Sequence, residues 1–289
     1  MTTPTQPASL LILGCGYLGT KLATLAVSRG WRVGALTRNP HTCQHLSSNG
    51  VHLTVEADLH SASWHEKLSA SDWSVVVNCV GSGDGTPEGY RSSYVEGMHS
   101  ILKWHLLSDP MLSFIYTSSA SVYGDFEGAW IDESAPTLPA SDQGRIILES
   151  EQIILSQSET LAHWNILRLG GLYGPERDAF LRARNPNPDA EYDPFLNLIH
   201  VADACNAILR IAESPTSVRS RVYNLTDNHP TRRSEIDQWA QSRATRLKPE
   251  TSRRSFTKRP NRRISASAFM SDTGWAPQHL PPFAQNTQA

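Results

Sequence analysis

Residues 10–19 contain an apolar run that passes directly into three closely spaced glycines, LLILGCGYLG. Gly14, Gly16 and Gly19 have the GxGxxG spacing. The first glycine permits a tight turn, the second lets a diphosphate approach the backbone, and the third lets a helix pack on a strand. The spacing alone is weak evidence, and a glycine-rich turn without a ligand is the alternative. Here it follows a predicted strand and begins a periodic helix, which is the context of a dinucleotide site.

Outward from this segment, the first 170 residues alternate short apolar runs with helical patterns. A helix with an apolar face is predicted from Leu18, with a stop at Arg29-Gly30, and others at 88–108 and 145–157. Six strand candidates share an apolar, β-branched character: 10–13, 31–36, 51–55, 74–80, 112–118 and 164–169. Because parallel strands need helical crossovers, the alternation predicts an α/β fold with a doubly wound, Rossmann-type parallel sheet.

The second part of the chain has a different pattern. Residues 171–197 are rich in Gly, Pro and Arg and predict a loop. The elements predicted beyond it are a helix at 203–213, a strand at 221–225 and a helix from Ser234. We therefore expect a dinucleotide-binding domain at 1–170 and a smaller C-terminal substrate lobe at 171–289, with parts at about 198–228 returning to the sheet.

The net charge is −2, from 26 Lys and Arg against 28 Asp and Glu in 289 residues, but it is distributed unevenly. A protein with this net charge lacks the overall positive charge that is typical of nucleic-acid-binding proteins. Residues 243–263 hold nine basic residues and one acid, in the predicted substrate lobe. That window suits a basic lid over an anionic ligand, and an ordinary solvated surface is the alternative. Phe256 is its one aromatic residue, which also argues against single-strand nucleic-acid binding.

Targeting and metal-binding signals are weak. Residues 1–9 lack the basic region of a signal peptide, and no apolar stretch approaches the ~20 residues of a membrane span. The four cysteines form no CxxC pair and are typical of reduced thiols in a cytosol: Cys15, Cys43, Cys79 and Cys205. Cys43 lies between His41 and His45, but no fourth ligand is evident, so no metal is predicted. We expect a soluble, cytoplasmic protein without a membrane partner.

The end of the second predicted strand bears on the choice of dinucleotide. An NAD site usually places Asp or Glu about 20 residues beyond the glycines, but no carboxylate occurs from Gly30 to Val55. Thr37 and Arg38 end the strand instead, and a hydroxyl beside a guanidinium suits a 2′-phosphate. The sequence thus predicts NADP(H), with NAD(H) as the alternative if Arg38 is an ordinary surface residue.

Seven further segments each match a different motif of one protein family: 56–59 (EADL), 78–81 (NCVG), 114–124 (FIYTSSASVYG), 130–133 (WIDE), 167–175 (LRLGGLYGP), 199–203 (IHVAD) and 222–225 (VYNL). With the glycine loop, they resemble the short-chain dehydrogenase/reductase superfamily in its extended epimerase/dehydratase-like branch, over nearly the whole chain. The resemblance implies an acidic turn near the adenine and a fourth strand beside the nicotinamide. The residues expected at the cofactor are Gly14, Gly16, Tyr17, Leu18, Gly19, Thr37, Arg38, Asp58, Cys79, Val80 and Gly81.

The resemblance fails at the catalytic positions. In that family a serine or threonine orients the oxygen, a tyrosine moves the proton and a lysine lowers the pKa of the tyrosine. Ser119 matches the serine, but alignment on Glu151 puts Gln143 at the tyrosine and Ile147 at the lysine. An amide does not exchange a proton near pH 7, and isoleucine carries no charge. The usual relay is therefore absent, because residues 124–163 contain no Tyr or Lys.

The candidates for catalysis are Ser119, Tyr123 and Gln143. For Ser119 the alternative is a hydroxyl at a strand end that caps the backbone. Tyr123 carries a phenol that could face the cleft, although the equivalent residue is often structural. Tyr94, which stands near a position where many relatives keep an asparagine, and His200 are weaker candidates.

Two functions remain open. The first is an atypical oxidoreductase or epimerase-like enzyme that acts on a small carbonyl or sugar-like substrate, with nucleotide-linked and other anionic compounds included. The second is a catalytically degenerate dinucleotide-binding sensor or scaffold. Loss of the relay favours the second, whereas Ser119 and a substrate lobe favour the first. The resemblance also leaves open a homodimer through the helices at about 88–108 and 145–157.

Overall fold

A parallel β-sheet forms the centre of the protein, whose structure is a computed structural model. The structure describes residues 8–69, 72–82, 84–105, 113–177, 192–213, 217–242 and 260–281. The strands are β1 (Ser9–Leu13), β2 (Arg32–Thr37), β3 (Leu53–Glu56), β4 (Val75–Asn78), β5 (Ser113–Ser119), β6 (Trp130–Ile131), β7 (His163–Leu169), β8 (Gly171–Tyr173), β9 (Phe195–Leu196), β10 (Leu198–His200), β11 (Arg221–Leu225), β12 (Thr231–Arg232) and β13 (Arg263–Ile264).

The helices alternate with these strands along most of the chain. They are α1 (Tyr17–Ser28), α2 (Pro40–Ser48), α3 (Pro87–Tyr90), α4 (Gly97–His105), α5 (Asp142–Ser156), α6 (Val201–Glu213), α7 (Arg233–Ser242) and α8 (Ser267–Thr273). A π-helical segment, Arg91–Glu96, joins α3 to α4. A short 3₁₀ helix, Ala120–Val122, follows β5.

Seven strands form the central sheet in the order β11-β7-β5-β4-β1-β2-β3, and all neighbours are parallel. The predicted doubly wound α/β fold is confirmed. Strand β11, from the second half of the chain, pairs with β7 at the edge of this sheet. Three pairs of short strands lie outside this sheet: β8 with β10, β9 with β12 and β6 with β13.

The apolar runs of the central strands follow from burial on both faces. In β1, Leu10 and Ile12 contribute to one core, and Leu11 and Leu13 contribute to the core on the opposite face. Residues of α1 and α6 cover the first face, and residues of α4 and α5 cover the second. Alternation of side chains along a strand explains why a strand covered twice is apolar throughout.

Two segments differ from their predicted structure. Residues 40–48, which carry no apolar periodicity, form α2, because Asn39 caps the backbone N–H groups of His41 and Thr42 and Pro40 suits a first helical turn. The predicted loop at 171–197 contains β8 and β9, while 178–191 lies outside the described residues. Short pairings of two or three residues leave no periodic signal.

A buried ion pair fastens α5 to β7. Arg168 donates from Nη2 to Glu151 Oε2 at 2.7 Å and from Nε to Glu151 Oε1 at 3.1 Å, and both side chains are almost fully buried. Burial acts to lower the pKa of Arg168, but the hydrogen bonds and charge of Glu151 outweigh it and raise that pKa overall. Ser118 of β5 donates to the same carboxylate.

Replacement of Glu151 should therefore destabilise the fold. Glu151→Gln leaves the Arg168 charge buried without its partner, and we expect a loss of about 3 kcal/mol in the free energy of unfolding. Urea denaturation followed by circular dichroism measures it. The matched control is Glu149→Gln on the same helix, because Glu149 pairs with Arg91 at the surface and its loss should hardly move the midpoint. Equal midpoints for the two variants would contradict the assigned role of the pair.

Candidate functional site

A cleft of about 910 Å³ lies at the carboxyl ends of the central strands. Its walls come from the glycine loop after β1 and from the ends of β2, β4, β5 and β7, together with α3 and the π-helical segment. Ligands of open parallel sheets bind at this edge, where the crossovers diverge. With the exception of Gly19, every residue predicted at the cofactor lines this cleft.

The glycine loop has the backbone that its spacing predicts. Gly14 has φ +93°, and a Cβ there would lie 2.4 Å from Cγ2 of Val80. A Cβ on Gly19 would lie 2.2 Å from the carbonyl oxygen of Gly14, which explains why Gly19 serves packing and not the cleft. Beside Gly16 there is nothing within 4 Å of the Cβ position. The open space beside Gly16 fits the close approach of a diphosphate.

The first turn of α1 completes this cradle. Its N-cap is Gly16, no side chain caps it, and the first turn carries no acidic residue. The N–H groups at a helix start lack intrahelical partners and carry partial positive charge. They are therefore available to an anionic group in the cleft.

At the β2 side of the cleft lie Thr37, Arg38 and Asp58. Thr37 is buried, and its Oγ1 accepts from the backbone N–H of Asn39 at 3.3 Å. Arg38 and Asp58 are exposed. Within the described ranges Arg38 forms no ion pair, so its guanidinium is available to a ligand.

At the β4 side the cleft is lined by Cys79, Val80 and Gly81. Val80 is held by a hydrogen bond from its N–H to Asn78 Oδ1 at 3.0 Å. Burial raises the pKa of the Cys79 thiol well above its usual range, so this thiol stays protonated and is no nucleophile.

Ser119 lies in the cleft at the end of β5. It is the N-cap of the 3₁₀ helix, and its Oγ accepts from the N–H of Ser121 at 3.1 Å. Because that bond uses an acceptor site of the oxygen, the hydroxyl proton of Ser119 is available to a ligand oxygen.

Tyr123 lies elsewhere. It is fully buried, is not among the residues that line the cleft, and accepts a hydrogen bond from Arg168 Nη1 at 2.8 Å. Its hydroxyl donates to Asn224 Oδ1 at 2.8 Å. Burial raises the pKa of Tyr123, and Arg168 opposes part of that shift. The structure places this phenol in the buried network of Arg168 and Glu151.

Gln143 and Ile147 lie on α5, outside the cleft lining. Gln143 is in the first turn and is half-buried. Ile147 is buried in an apolar cluster against which Tyr90 and Tyr94 also pack. The position at which the sequence resemblance implies a lysine is therefore occupied by an apolar side chain, with aromatic rings beside it.

Tyr94 lines the cleft, as do Tyr17 and Tyr90. It lies on the π-helical segment, its ring stacks on Tyr90 with centroids 5.3 Å apart, and its hydroxyl is 3.8 Å from the Cβ position of Gly81. Burial raises the pKa of Tyr94 to about 12, so at neutral pH it is a hydrogen-bond donor. The signal for Tyr94 in the sequence is a tyrosine near a position where the resemblance implies an asparagine.

His200 and the described part of the basic window have structural contacts. The ring of His200 stacks on His279 with centroids 4.3 Å apart, and burial lowers the pKa of His200. Arg262 is buried and donates to the carbonyl oxygens of Gly124 and Ala120 at 3.1 and 2.8 Å. Neither residue lines the cleft. Residues 243–259, which carry most of the predicted basic lid, lie outside the described residues.

Among the residues that the structure describes, no three His, Cys, Asp or Glu side chains are placed to hold a metal ion. His41, Cys43 and His45 lie on α2. None of the helices in the described ranges combines the length and the apolar character that crossing a membrane requires.

Comparison with known proteins agrees with this geometry. The model of the NAD dependent epimerase/dehydratase family matches residues 10–189. Protein YeeZ of Escherichia coli is 29% identical over 278 residues, which cover 94% of this chain and 96% of that protein.

Solved structures share the fold. A candidate NAD-dependent epimerase/dehydratase from Methylobacillus flagellatus superposes with a TM-score of 0.71 at 26% identity and covers 91% of both chains. The dTDP-glucose 4,6-dehydratase of Bacillus anthracis, solved in complex with NAD, has a TM-score of 0.79 at 16% identity, covering 94% of this chain and 92% of that chain. The resemblance predicted from the sequence is confirmed.

The two glycines at the cleft should respond differently to substitution. Gly16→Ala adds a methyl group to open space at a negative φ, so the fold should persist while binding of NADPH or NADH weakens by about tenfold or more. Gly14→Ala is the contrasting variant, because its positive φ and the contact with Val80 should lower stability itself. Calorimetric titration and thermal unfolding measure the two effects. Unchanged cofactor affinity in folded Gly16→Ala would contradict the placement of a diphosphate at this loop.

Proposed function

The chain belongs to the NAD-dependent epimerase/dehydratase family, and we propose that it is an NADP(H)-dependent oxidoreductase that works without the Tyr–Lys relay. Its substrate would be a small carbonyl or sugar-like compound. The observation that carries the proposal is the cleft itself, which combines the open glycine cradle at Gly16 with the free hydroxyl proton of Ser119.

The preference for NADP(H) rests on the end of β2. Arg38 is exposed beside the cleft, has no acidic partner in the described ranges and follows the hydroxyl of Thr37. A guanidinium can grip a phosphate with two parallel hydrogen bonds, whereas no carboxylate from β2 is there to accept from ribose hydroxyls. Asp58, which lines the same side, is the residue that could serve NAD(H) instead.

Arg38→Ala should separate the two cofactors. We expect its affinity for NADPH to fall by about tenfold or more, because a charge-assisted hydrogen bond is lost, while its affinity for NADH stays the same. Fluorescence titration of both reduced cofactors measures this. Arg29→Ala is the control, since Arg29 pairs with Glu213 away from the cleft. Tighter binding of NADH than NADPH by the unaltered protein would overturn the preference.

In the proposed reaction the chain supplies hydrogen-bond donors at the reacting oxygen. A nicotinamide cofactor, when bound, supplies or accepts a hydride. Ser119 would donate its hydroxyl proton to the substrate oxygen and polarise the carbonyl. Tyr94, protonated at neutral pH and with its hydroxyl 3.8 Å from the Cβ position of Gly81, is the phenol proposed as a second donor, with water as the other source of the proton.

A second candidate function follows from α5. Ile147 is buried among apolar side chains, and Gln143 does not line the cleft, so α5 contributes neither a proton nor a charge to it. A protein that holds the dinucleotide as a sensor or scaffold needs no such groups. The two functions differ in one measurable property, the transfer of hydride.

Hydride transfer can be tested with NADPH that carries deuterium at C4, incubated with a panel of small carbonyl and sugar-like compounds. We expect deuterium in a reduced product, and a rate about 100-fold lower in Ser119→Ala, which removes the polarising donor. Ser121→Ala is the matched control, because the Oγ of Ser121 is buried and has no hydrogen-bond partner within the described residues. Tight NADPH binding with no transfer to any compound would overturn the enzyme and favour the sensor.

The setting proposed for the protein is the cytoplasm. Cys15 and Cys205 are free, buried thiols, and burial raises the pKa of each to about 12. Thiols of this kind are typical of proteins in a reducing compartment.

A further inference from the structure

One turn from the second half of the chain reaches back to the glycine loop. The hydroxyl of Tyr17, the first residue of α1, donates to the carbonyl oxygen of Pro175 at 2.8 Å. The same hydroxyl lies 3.0 Å from the Cβ position of Gly174, so a larger residue there would collide with it. The N–H of Arg177 donates to the Gly174 carbonyl at 3.0 Å and closes the turn.

This turn delivers a cation to the cleft. The guanidinium carbon of Arg177 lies 5.3 Å from the centroid of the Tyr17 ring, and Arg177 is among the cleft-lining residues. Within the described part of the chain no carboxylate pairs with it. Burial raises the pKa of Tyr94, and the positive charge of Arg177 opposes part of that shift.

Lys21 provides a comparison from the same neighbourhood. Its Nζ is also 5.3 Å from the centroid of the Tyr17 ring. Lys21, however, forms an ion pair with Glu176 at 3.7 Å and does not line the cleft. Of these two cations on one aromatic ring, Arg177 is the one that has no carboxylate partner among the described residues and the one that lines the cleft.

We propose that Arg177 binds the diphosphate of the dinucleotide, held over the glycine loop by the contact between Tyr17 and Pro175. The space beside Gly16 and the uncapped start of α1 lie next to Tyr17 and receive the phosphate oxygens from the backbone side. Arg177 supplies a side-chain guanidinium, which matches two phosphate oxygens at once. This role rests on the proposed function, since it requires that a nicotinamide dinucleotide binds.

A phosphate group on the substrate is the alternative ligand for the Arg177 guanidinium. The contact with Tyr17 favours the cofactor, because Tyr17 is the first residue of the helix whose N–H groups face the diphosphate. The experiment below distinguishes the two sources.

Calorimetric titration of NADPH, NADH and adenosine 2′-monophosphate into the full chain tests the proposal. Arg177→Ala should weaken binding of NADPH and NADH about tenfold, the loss of one charge-assisted hydrogen bond, and leave adenosine 2′-monophosphate unchanged because it has no diphosphate. Arg177→Lys should recover part of the affinity, since it restores the charge but not the planar fork. Lys21→Ala is the matched control and should bind all three like the unaltered protein.

Each contrary result has a separate meaning. If the unaltered protein binds neither NADPH nor NADH, the proposed function fails before any variant is compared. If it binds them and Arg177→Ala binds them equally well, the diphosphate role is overturned. If Arg177→Ala binds adenosine 2′-monophosphate as much more weakly as it binds NADPH, the variant has a general effect of charge. That result would also overturn the diphosphate role. If Arg177 serves the substrate instead, inorganic phosphate would bind to the NADPH-saturated protein but not to NADPH-saturated Arg177→Ala.

Discussion

The buried ion pair between Arg168 and Glu151 is the constraint on which the site depends. It joins β7 to α5, and Ser118 and Tyr123 extend it to β5 and to the 3₁₀ helix that follows β5. Two buried charges gain little net stability over an apolar pair, but the loss of either partner is costly. The pair therefore fixes the position of α5 against the sheet, and with it the strand end that carries Ser119.

This constraint acts on one end of α5. Glu151 lies one helical turn beyond Ile147 and two turns beyond Gln143 on α5. Arg168 holds the helix at Glu151, so the proposed lack of a Tyr–Lys relay at Gln143 and Ile147 leaves this anchor in place. The packing of Tyr90 and Tyr94 against the cluster around Ile147 shows that this apolar surface is filled and not left as a cavity. The apolar side chain of Ile147 on α5 and the phenol of Tyr94 on the π-helical segment therefore belong to one packed unit.

Sequence patterns predicted those features that local chemistry decides. The strand β1, the turn at Gly14 and the approach at Gly16 each depend on neighbouring residues, and all three have the predicted form. The ranking of Tyr123 above Tyr94 did not match the geometry, because the direction of each phenol is set elsewhere: by Arg168 for Tyr123 and by a π-helical segment for Tyr94. A π-helical segment shifts the register of a helix face, and its sequence carries no periodic signal. The sequence did not predict α2, because Leu46 is the only buried residue of this helix and one buried residue makes no apolar periodicity. Its cap at Asn39 is a local signal, but a cap alone does not indicate a helix.

The contact between Tyr17 and Pro175 shows why the remaining part of the site required a structure. These residues are 158 positions apart, and neither side chain is unusual for its own segment. The contact joins the glycine loop to the turn that carries Arg177. The backbone N–H groups at the loop attract anions through partial charges, whereas Arg177 adds a full positive charge. Arg38 stands at the β2 side of the same cleft, also without an acidic partner among the described residues. Two such cations suit a ligand with phosphate at two separate positions, as in NADP(H), better than a ligand with one. The cofactor preference argued from the end of β2 and the role argued for Arg177 thus depend on the same distribution of charge along the cleft.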